Sequence, residues 1–489
     1  MNTAILDFLL AHAKKNPVSF HMPGHKGSYI FRSLGFEGFL SDIPDLDITE
    51  LTGADNLFQA EGIIKQVQDD YARLYGVDRS YLLINGSSGG IIASIMASVQ
   101  KGRKIIMARN CHKSVFSALM MADVRPVYAY PDTLSGYGIS GAVDPEEIER
   151  LCKSNDDAEA VILPSPNYYG ICSDIRAIAD TAHRYGKILI VDQAHGAHLK
   201  FFSKFAIGDM PIPAEESGAD IIIDSTHKTL ASLTQSAVLH LNSDRVDPVI
   251  LADKLQCIES TSPSYILMAS LDVNRQIIEK HGPELFAAWA SDIAYFYSQA
   301  EEIPGLSLMT GVTGLDRTKI SLDMSAAGLS GAKLEKLLLE DDIFIEMVTG
   351  NIAMCVTGIG NRRADYDRLL GSLKRISILQ GCGMPPAGHS ACDAHRRSNV
   401  DNVSAVDFEA LLKKPHQLYD VPKSERKIPL ADAAGLICAS SVIPYPPGIP
   451  LICPGEVIEQ AAIDYVLSLR RRGEKVIGVS DAGDIMVGI

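Results

Sequence analysis

Lys228 closes a polar turn, DSTHK (224–228), that follows the β-branched run III (221–223). A lysine on a polar loop is ordinarily solvated, and the turn alone supports nothing further. Its company changes the balance. Thirty-six residues upstream, the run ILIV (188–191) ends in Asp192 and continues into DQAHGAH (192–198). Farther back, NGSSGG (85–90) lies between a strand pattern and a helix pattern. Its glycines free backbone N–H groups at a helix start, and Ser87 and Ser88 add hydroxyls, which makes an anion site by geometry and dipole. The turn has neither the GxGxxG nor the GxxxxGK[ST] pattern. An amine, a carboxylate and an anion-binding turn are the parts needed to hold an aldehyde cofactor bearing a phosphate. In that reading Lys228 holds the aldehyde as a Schiff base, Asp192 faces a ring nitrogen, and Ser225 and His227 add phosphate donors. Each has a plainer alternative, since strand-end aspartates also cap helices and glycine-serine turns are often only turns.

The elements that must position these residues read as alternating strands and helices. Strand patterns fall at 81–84, 104–108, 125–128, 160–163, 187–191, 221–223 and 237–241, and helical ones at 90–100, 114–122, 144–153 and 174–185. Runs of Ile and Val without alternation mean strands covered on both faces, hence an α/β fold with a mainly parallel, seven-stranded sheet. Such sheets bind ligands at the carboxyl ends of their strands. Gly86, His112, Pro166, Asp192 and Lys228 all fall at that edge. His112, in ARNCHKS, is free to lie flat on an aromatic ring and is equally readable as a surface histidine.

A short helix is expected at 3–15 and another at 62–75, with HMPGHKG (21–27) and a carboxylate-rich stretch, 42–61, between them. The stretch, with Asp47, Glu50 and Asp55, is either a solvated loop with helix caps or an acidic wall for a cationic substrate. The pattern turns helical over 245–300. A smaller α+β unit follows, with strands near 318–323, 343–347 and 352–356 and helices at 330–340 and 362–379. After a Gly/Pro-rich break at 381–390 come helices at 405–413 and 457–471 and a terminal hairpin. The expected division is an N-terminal segment (1–60), a large domain (61–300), a small domain (301–385) and a C-terminal domain (386–489). Asp192, His195 and His198 spell D-x-x-H-x-x-H, superficially metal ligands, but a metal would leave the lysine and serine-glycine turns unexplained, so none is expected.

Composition narrows the classes. The 489 residues carry a formal charge of -15, which disfavours nucleic acid and anionic membrane as partners. Nine scattered cysteines without a CxxC, and no apolar stretch of membrane-spanning length, point to a reducing cytoplasm.

The chain resembles the pyridoxal-phosphate enzymes of the ornithine/lysine/arginine decarboxylase family, within the aspartate-aminotransferase fold. The matching stretches are HMPGHKG, the segment with Asp47, Thr49, Glu50, Gly53, Asp55, Asn56 and Leu57, NGSSGG, ARNCHKS, PNYYG (166–170), D-x-AHGAH, STHKTL and PPGIPLICPGE (446–456). The resemblance implies pyridoxal 5'-phosphate as cofactor, Lys228 as its Schiff-base lysine and Asp192 as the ring-nitrogen partner. It implies His112 stacked on one face, Ala194 under the other, and His195 near cofactor and substrate carboxylate. Ser88, Gly89 and Gly90 with Ser225 and His227 would form the phosphate cup. Family members are homodimers or dimer-built oligomers with shared active sites, so the N-terminal segment around His25 and Lys26 is expected at the interface. His25, Lys26, Asp47, Glu50 and Asp55 are the candidates for contacting the substrate. Two departures stand out: Gln193 replaces the glutamate of D-E-A-H, and the chain looks like the compact form, without a response-regulator-like N-terminal domain. The implied reaction is decarboxylation of a basic L-amino acid. Arginine is preferred because the carboxylate-rich loop offers a planar fork to a guanidinium; lysine and ornithine are the alternatives. An aminotransferase or β-eliminating lyase of the same fold is the nearest rival, and would want an arginine clamp, for which Arg109 and Arg125 are available. A non-catalytic cofactor-binding regulator would want a basic extension that the sequence does not contain.

Overall fold

The uninterrupted Ile and Val runs become the strands of one sheet: β1 (Arg79–Leu83), β2 (Lys104–Ala108), β3 (Arg125–Ala129), β4 (Ala158–Pro164), β5 (Ile188–Asp192), β6 (Ile221–Asp224) and β7 (Ala237–Leu241). The order in this computed structural model is β1-β7-β6-β5-β4-β2-β3, parallel except for β7, which is antiparallel to both neighbours. The structure describes residues 3–41, 43–134, 136–382, 411, 424–445, 448–471 and 474–488. The helix expected over 405–413 (Leu411 aside), the boundary at 385/386 and the first two residues of the 446–456 motif lie outside the described residues.

Both faces of the sheet are covered, as unbroken apolar runs require. Ile91, Val115 and Ile178 of the flanking helices share one core with the strand residues Ile106, Val161 and Ile190, whose register points them to both faces of the sheet. A second core, with Tyr75, Phe201, Phe286 and Trp289, continues into the smaller domain through Leu322, Leu334 and Leu373 and takes in Phe20 and Phe31 of the N-terminal segment. The 36-residue helix Tyr265–Ala300 carries much of that second core and leads out of the sheet domain.

The smaller sheet has the order Ser307–Leu308, Lys319–Asp323, Ile352–Val356, Met347–Thr349. The stretch read as a single strand over 343–347 is divided. Ile343–Ile345 pairs in parallel with Val18–Phe20, whereas Met347–Thr349 pairs with Ile352–Val356. Glu346 stands where the chain changes partners. The terminal hairpin is not formed either. Lys475–Ile477 pairs with Ile443–Tyr445, and Asp484–Gly488 with Glu425–Pro429. After Ile477 the chain stays against the 441 segment, where a Cβ on Gly478 would lie 2.0 Å from the Ser441 carbonyl oxygen.

Glycines let three backbones touch behind the lysine turn. A Cβ on Gly24 would fall 2.4 Å from the carbonyl carbon of Thr229, and one on Gly360 would fall 2.1 Å from the His25 oxygen. Hydrogen bonds tie the same layers: Gly24 N–H to His227 O at 2.8 Å, Ile359 N–H to Thr229 O at 2.9 Å and Gly360 N–H to Gly24 O at 3.0 Å. The PGHKG segment is therefore a spacer between the lysine turn and the small domain. Gly24→Ala is expected to cost about 2–3 kcal/mol or more in chemical denaturation, because backbone and not a flexible side chain must move. Gly371→Ala is the control: it sits inside the helix Arg363–Leu379 with nothing within 4 Å of its added Cβ, and should be neutral or stabilising.

Candidate active site

The carboxyl ends of the strands converge on a cavity of about 290 Å³. Gly86, His112, Pro166, Asp192 and Lys228 all line it, joined by Ser87, Ser88, Ala194, His195 and His227. Gly89 and Gly90 do not reach the cavity wall. They lie in the first turns of the helix Gly86–Ser98, where a Cβ on Gly90 would strike Leu83 at 2.6 Å, so that glycine sets the seating of the helix on the sheet. Ser225 is fully buried beside the lysine, its hydroxyl without a hydrogen-bond partner.

Lys228 lies in the single helical turn Thr226–Thr229, braced by Thr226 Oγ1 on Ser232 Oγ at 2.7 Å and by the Ala231 N–H on Asn274 Oδ1 at 2.8 Å. Its amine is 2.9 Å from His195 Nε2. Burial pushes that amine down to about 8, with Asp192 and Glu346 opposing and Lys319 adding to the fall. Burial pushes the Asp192 carboxyl up, against the pull of Lys228 and of the Ala194 N–H, which its Oδ1 accepts at 3.1 Å. His195 is held well below its ordinary range by burial and by Lys228. Its ring lies 4.5 Å from that of Tyr168, and its buried Nδ1 has no partner.

His112 caps the helix Lys113–Ala122. Its Nδ1 accepts the Ser114 N–H at 3.3 Å and meets Ser114 Oγ at 2.9 Å, so the proton of the neutral ring belongs on Nε2. Burial, then Lys228, lowers this ring to about 3, so it is uncharged at neutral pH. His227 bonds the Ser236 carbonyl through Nδ1 at 2.7 Å, and burial lowers it to about 4.

The helix Gly86–Ser98 begins at the cavity, has no acidic residue in its first turn, and receives no side-chain cap from Asn85. Its leading N–H groups are open to an anion. Together with the lining Ser87 and Ser88 and the unpartnered His195 Nδ1, this set fits a phosphorylated aldehyde; Ser225, expected in the phosphate cup, is not among the lining residues. Glu259 is close by, its Oε2 accepting the Ile84 N–H at 3.3 Å, and burial pushes its carboxyl up to about 7.

None of the five substrate-contact candidates lines the cavity. The Lys26 amine donates to the carbonyls of His21 and, at 3.0 Å, of Val356, and burial lowers it to about 7. His25 bonds the Gly27 carbonyl at 3.1 Å. Asp55 accepts the N–H groups of Asn56, Glu61, Gly62 and Ile64 at 2.9–3.0 Å, capping the next helix. Asp47 is exposed, and Glu50 turns a buried oxygen away from any partner. Instead, Glu346 reaches the cavity. Its Oε1 accepts the Tyr168 hydroxyl at 2.9 Å and its Oε2 the Met22 N–H at 3.0 Å. A glutamate interrupting an apolar β run, IFIEMV, was the available signal. Among the described residues, no arginine lines the cavity. Arg109 is fully buried and committed to the carbonyls of Pro450 and Leu451, and Arg125 opens a strand on the exposed side.

His198 belongs to a different assembly from Asp192 and His195. Its Nε2 lies 3.1 Å from Asp316 Oδ2 and its Nδ1 3.2 Å from Thr229 Oγ1, joining the small domain to the lysine turn. Lys319 completes that node, with its amine 3.1 Å from the His195 carbonyl.

Among the described residues, one group of carboxylates and histidine has the spacing of a metal site: Glu215, Asp224 and His240. Gln193 explains the group without an ion. Its amide nitrogen is 3.0 and 3.1 Å from the two Glu215 oxygens and 3.1 Å from Asp224 Oδ1, and its carbonyl accepts the Ala214 N–H at 2.8 Å. A glutamate at 193 would set three carboxylates together; the amide is what allows the pair.

Sequence and structure comparisons agree with this geometry. The family model described as Orn/Lys/Arg decarboxylase, major domain, matches residues 3–299, and its C-terminal domain matches 404–482. The chain belongs to the Orn/Lys/Arg decarboxylase family. It is 31% identical to the arginine decarboxylase of Bacillus subtilis, over 98% of this chain and 96% of that one. It is 23% identical to the lysine decarboxylase LdcA of Pseudomonas aeruginosa, over 94% of this chain and 74% of that one. The structure of the Escherichia coli constitutive lysine decarboxylase superposes with a TM-score of 0.73 at 19% identity, covering all of this chain and 82% of that one. The expected aspartate-aminotransferase fold and the decarboxylase class both hold.

Burial pushes Glu215 up to about 8 and Asp224 up to about 7, so the folded protein keeps protons there that the unfolded chain releases. A carboxyl with a raised folded pKa stabilises at low pH and loses that contribution as pH climbs through the folded value. Glu215→Gln, which fixes the neutral form, should therefore raise the thermal midpoint relative to the native chain increasingly between about pH 5 and about pH 9. A midpoint difference that stays flat over that range would show the carboxyl ionised throughout.

Proposed function

We propose that this enzyme decarboxylates L-arginine to agmatine and CO2 with pyridoxal 5'-phosphate. The observation that carries the reading is the convergence of the Lys228 amine, the Asp192 carboxylate and an uncapped helix N-terminus on one cavity. When bound, the cofactor supplies an aldehyde that captures the substrate amine and a protonated ring that takes up the electron pair as CO2 leaves.

The chain's own groups supply the rest. The depressed Lys228 pKa leaves a useful fraction of free amine near neutrality, and His195 Nε2 orients it. Asp192 would hold the ring nitrogen and keep it protonated. His112, uncharged, would hold the ring without competing for that proton. Ser87, Ser88 and the helix N-terminus take the phosphate, with Ser225 and His227 beside them. Lys228 then returns a proton to the substrate α-carbon. Glu346 receives the side-chain cation: each of its oxygens accepts one bond from the protein and retains lone pairs for a guanidinium or ammonium. The preference for arginine over lysine or ornithine draws on the greater identity to proteins named arginine decarboxylase.

The assembly we propose is a homodimer or an oligomer built from dimers. The helix Ala4–Lys14 has no buried residue and exposes Ile5, Phe8 and Leu9, an apolar face suited to a second subunit. The proposed division keeps 1–60 as the interface segment, 61–300 as the cofactor domain and 301–385 and 386–489 as the smaller domains. Free thiols at all eight described cysteines suit a cytoplasmic setting. No helix among the described residues is long and apolar enough to cross a membrane.

Lys228→Ala should fold, lose the visible absorbance of lysine-bound cofactor, and lose activity by about a thousandfold or more. A variant that keeps the absorbance would sink the assignment of Lys228. With labelled arginine, lysine and ornithine, CO2 release should be fastest from arginine. Glu346→Gln should lower kcat/KM for it about a hundredfold, mainly through KM, since about 3 kcal/mol is typical for breaking one buried charge pair. An unchanged KM would place the cation elsewhere.

A further inference from the structure

We infer that Ile449, from the C-terminal domain, is the wall that limits how long a substrate this cavity accepts, and that Arg109 is the positioning residue that holds it there. The substrate part rests on the decarboxylase reading; the geometry does not. Ile449 is buried, and among the described lining residues it alone comes from beyond the small domain. It packs with Leu451 and Ile463 in the C-terminal core. Its backbone is also held from the cofactor domain. The Lys113 N–H donates to the Gly448 carbonyl at 3.3 Å, and Arg109 donates through Nη1 to Pro450 O at 2.8 Å and through Nη2 to Leu451 O at 3.2 Å. Donors to both sides of Ile449 thus come from one short segment, 109–113, which also carries His112 into the cavity.

The arginine is built in for this task. Its guanidinium carbon lies 5.5 Å from the Phe116 ring centroid and 5.2 Å from that of Tyr128. Glu456, equally buried, balances its charge at 3.8 Å while accepting the Cys453 N–H at 2.8 Å and the Tyr128 hydroxyl at 3.3 Å. A planar fork gives two divergent bonds while lying between rings; an ammonium gives a compact charge and no such fork. The position of Ile449 is therefore referenced to the same strand end as His112, so wall and cofactor ring move together. An apolar wall of this kind discriminates substrates one methylene apart by about tenfold or more.

The test uses the full-length, cofactor-loaded protein and a graded series of substrates: ornithine, lysine, arginine and homoarginine. Ile449→Ala should shift the homoarginine-to-arginine ratio of kcat/KM upward about tenfold, and Ile449→Phe should shift it downward. Arg109→Lys should move the ratio in the same direction as Ile449→Ala, through KM, and should speed hydrogen exchange across 448–456 about tenfold. Flat ratios in both Ile449 variants with an active native enzyme overturn the wall. Unchanged exchange, or a lowered thermal midpoint with an unmoved ratio, in Arg109→Lys overturns the positioning role. A native enzyme inert on all four amino acids sinks the decarboxylase reading and the wall together, which separates that failure from the others.

Discussion

The close stacking of three backbones around Gly24 is the constraint on which the rest of the active site depends. The lysine turn, the PGHKG segment and the loop at 358–360 approach so closely that side chains at Gly24, Gly358 or Gly360 would overlap main-chain atoms. A turn of only four residues cannot hold a buried lysine by its own hydrogen bonds. It is held because main chain from two other parts of the molecule closes over it. The strand pair Val18–Phe20 and Ile343–Ile345 fixes the spacer to the small domain, and the His198–Asp316 pair fixes the small domain to Thr229. The cavity is thus a property of the closed chain and of no single domain.

That closure explains how Glu346 comes to face Lys228. The strand containing Ile343–Ile345 has to leave the small sheet to pair with the N-terminal segment, and the chain returns to the small sheet at Met347. The residue at the change of partner lies between the two paired runs, with its N–H bonded to the Met354 carbonyl at 2.9 Å, and its side chain turns towards the cavity. Met22, the residue just before the spacer's Pro-Gly, supplies one of its hydrogen bonds. The same spacer therefore braces the lysine and orients the carboxylate.

The sheet and its catalytic edge were legible in the sequence because burial on both faces writes itself as uninterrupted Ile and Val, and because strand ends follow directly. That Asp192 and Lys228 stand at this edge and line the cavity was readable from the strand ends together with the glycine-serine turn. Glu346 could not: a strand that divides between two sheets looks the same, residue by residue, as one that does not. The carboxylates at 47, 50 and 55 drew attention for the opposite reason. Composition counts negative charges but does not separate a helix cap from a ligand, and Asp55 spends its oxygens on four backbone N–H groups. Lys26 likewise looked like a ligand group and is a strut between carbonyls. The terminal hairpin was misread because short strands of a small domain carry little sign of their partners.

Electrostatics gives the site its direction. Burial drives His112 and His227 to about 3 and about 4 and His195 well down, so three histidines surround the lysine without adding positive charge. Were they charged, they would oppose the Lys228 cation and any incoming ammonium. Neutral, they act as donors and acceptors of fixed geometry, and the cavity is left with Lys228 set against Asp192 and Glu346. A bound phosphate adds further negative charge at the helix end, where open N–H groups meet it. The remaining imbalance is negative and lies on the Glu346 side. A substrate whose far end is cationic would neutralise it, whereas an acidic or neutral side chain would leave Glu346 without a counter-charge. A preference for a cationic side chain is therefore favoured by how the fold disposes of its histidines as much as by the Glu346 carboxylate at the cavity wall.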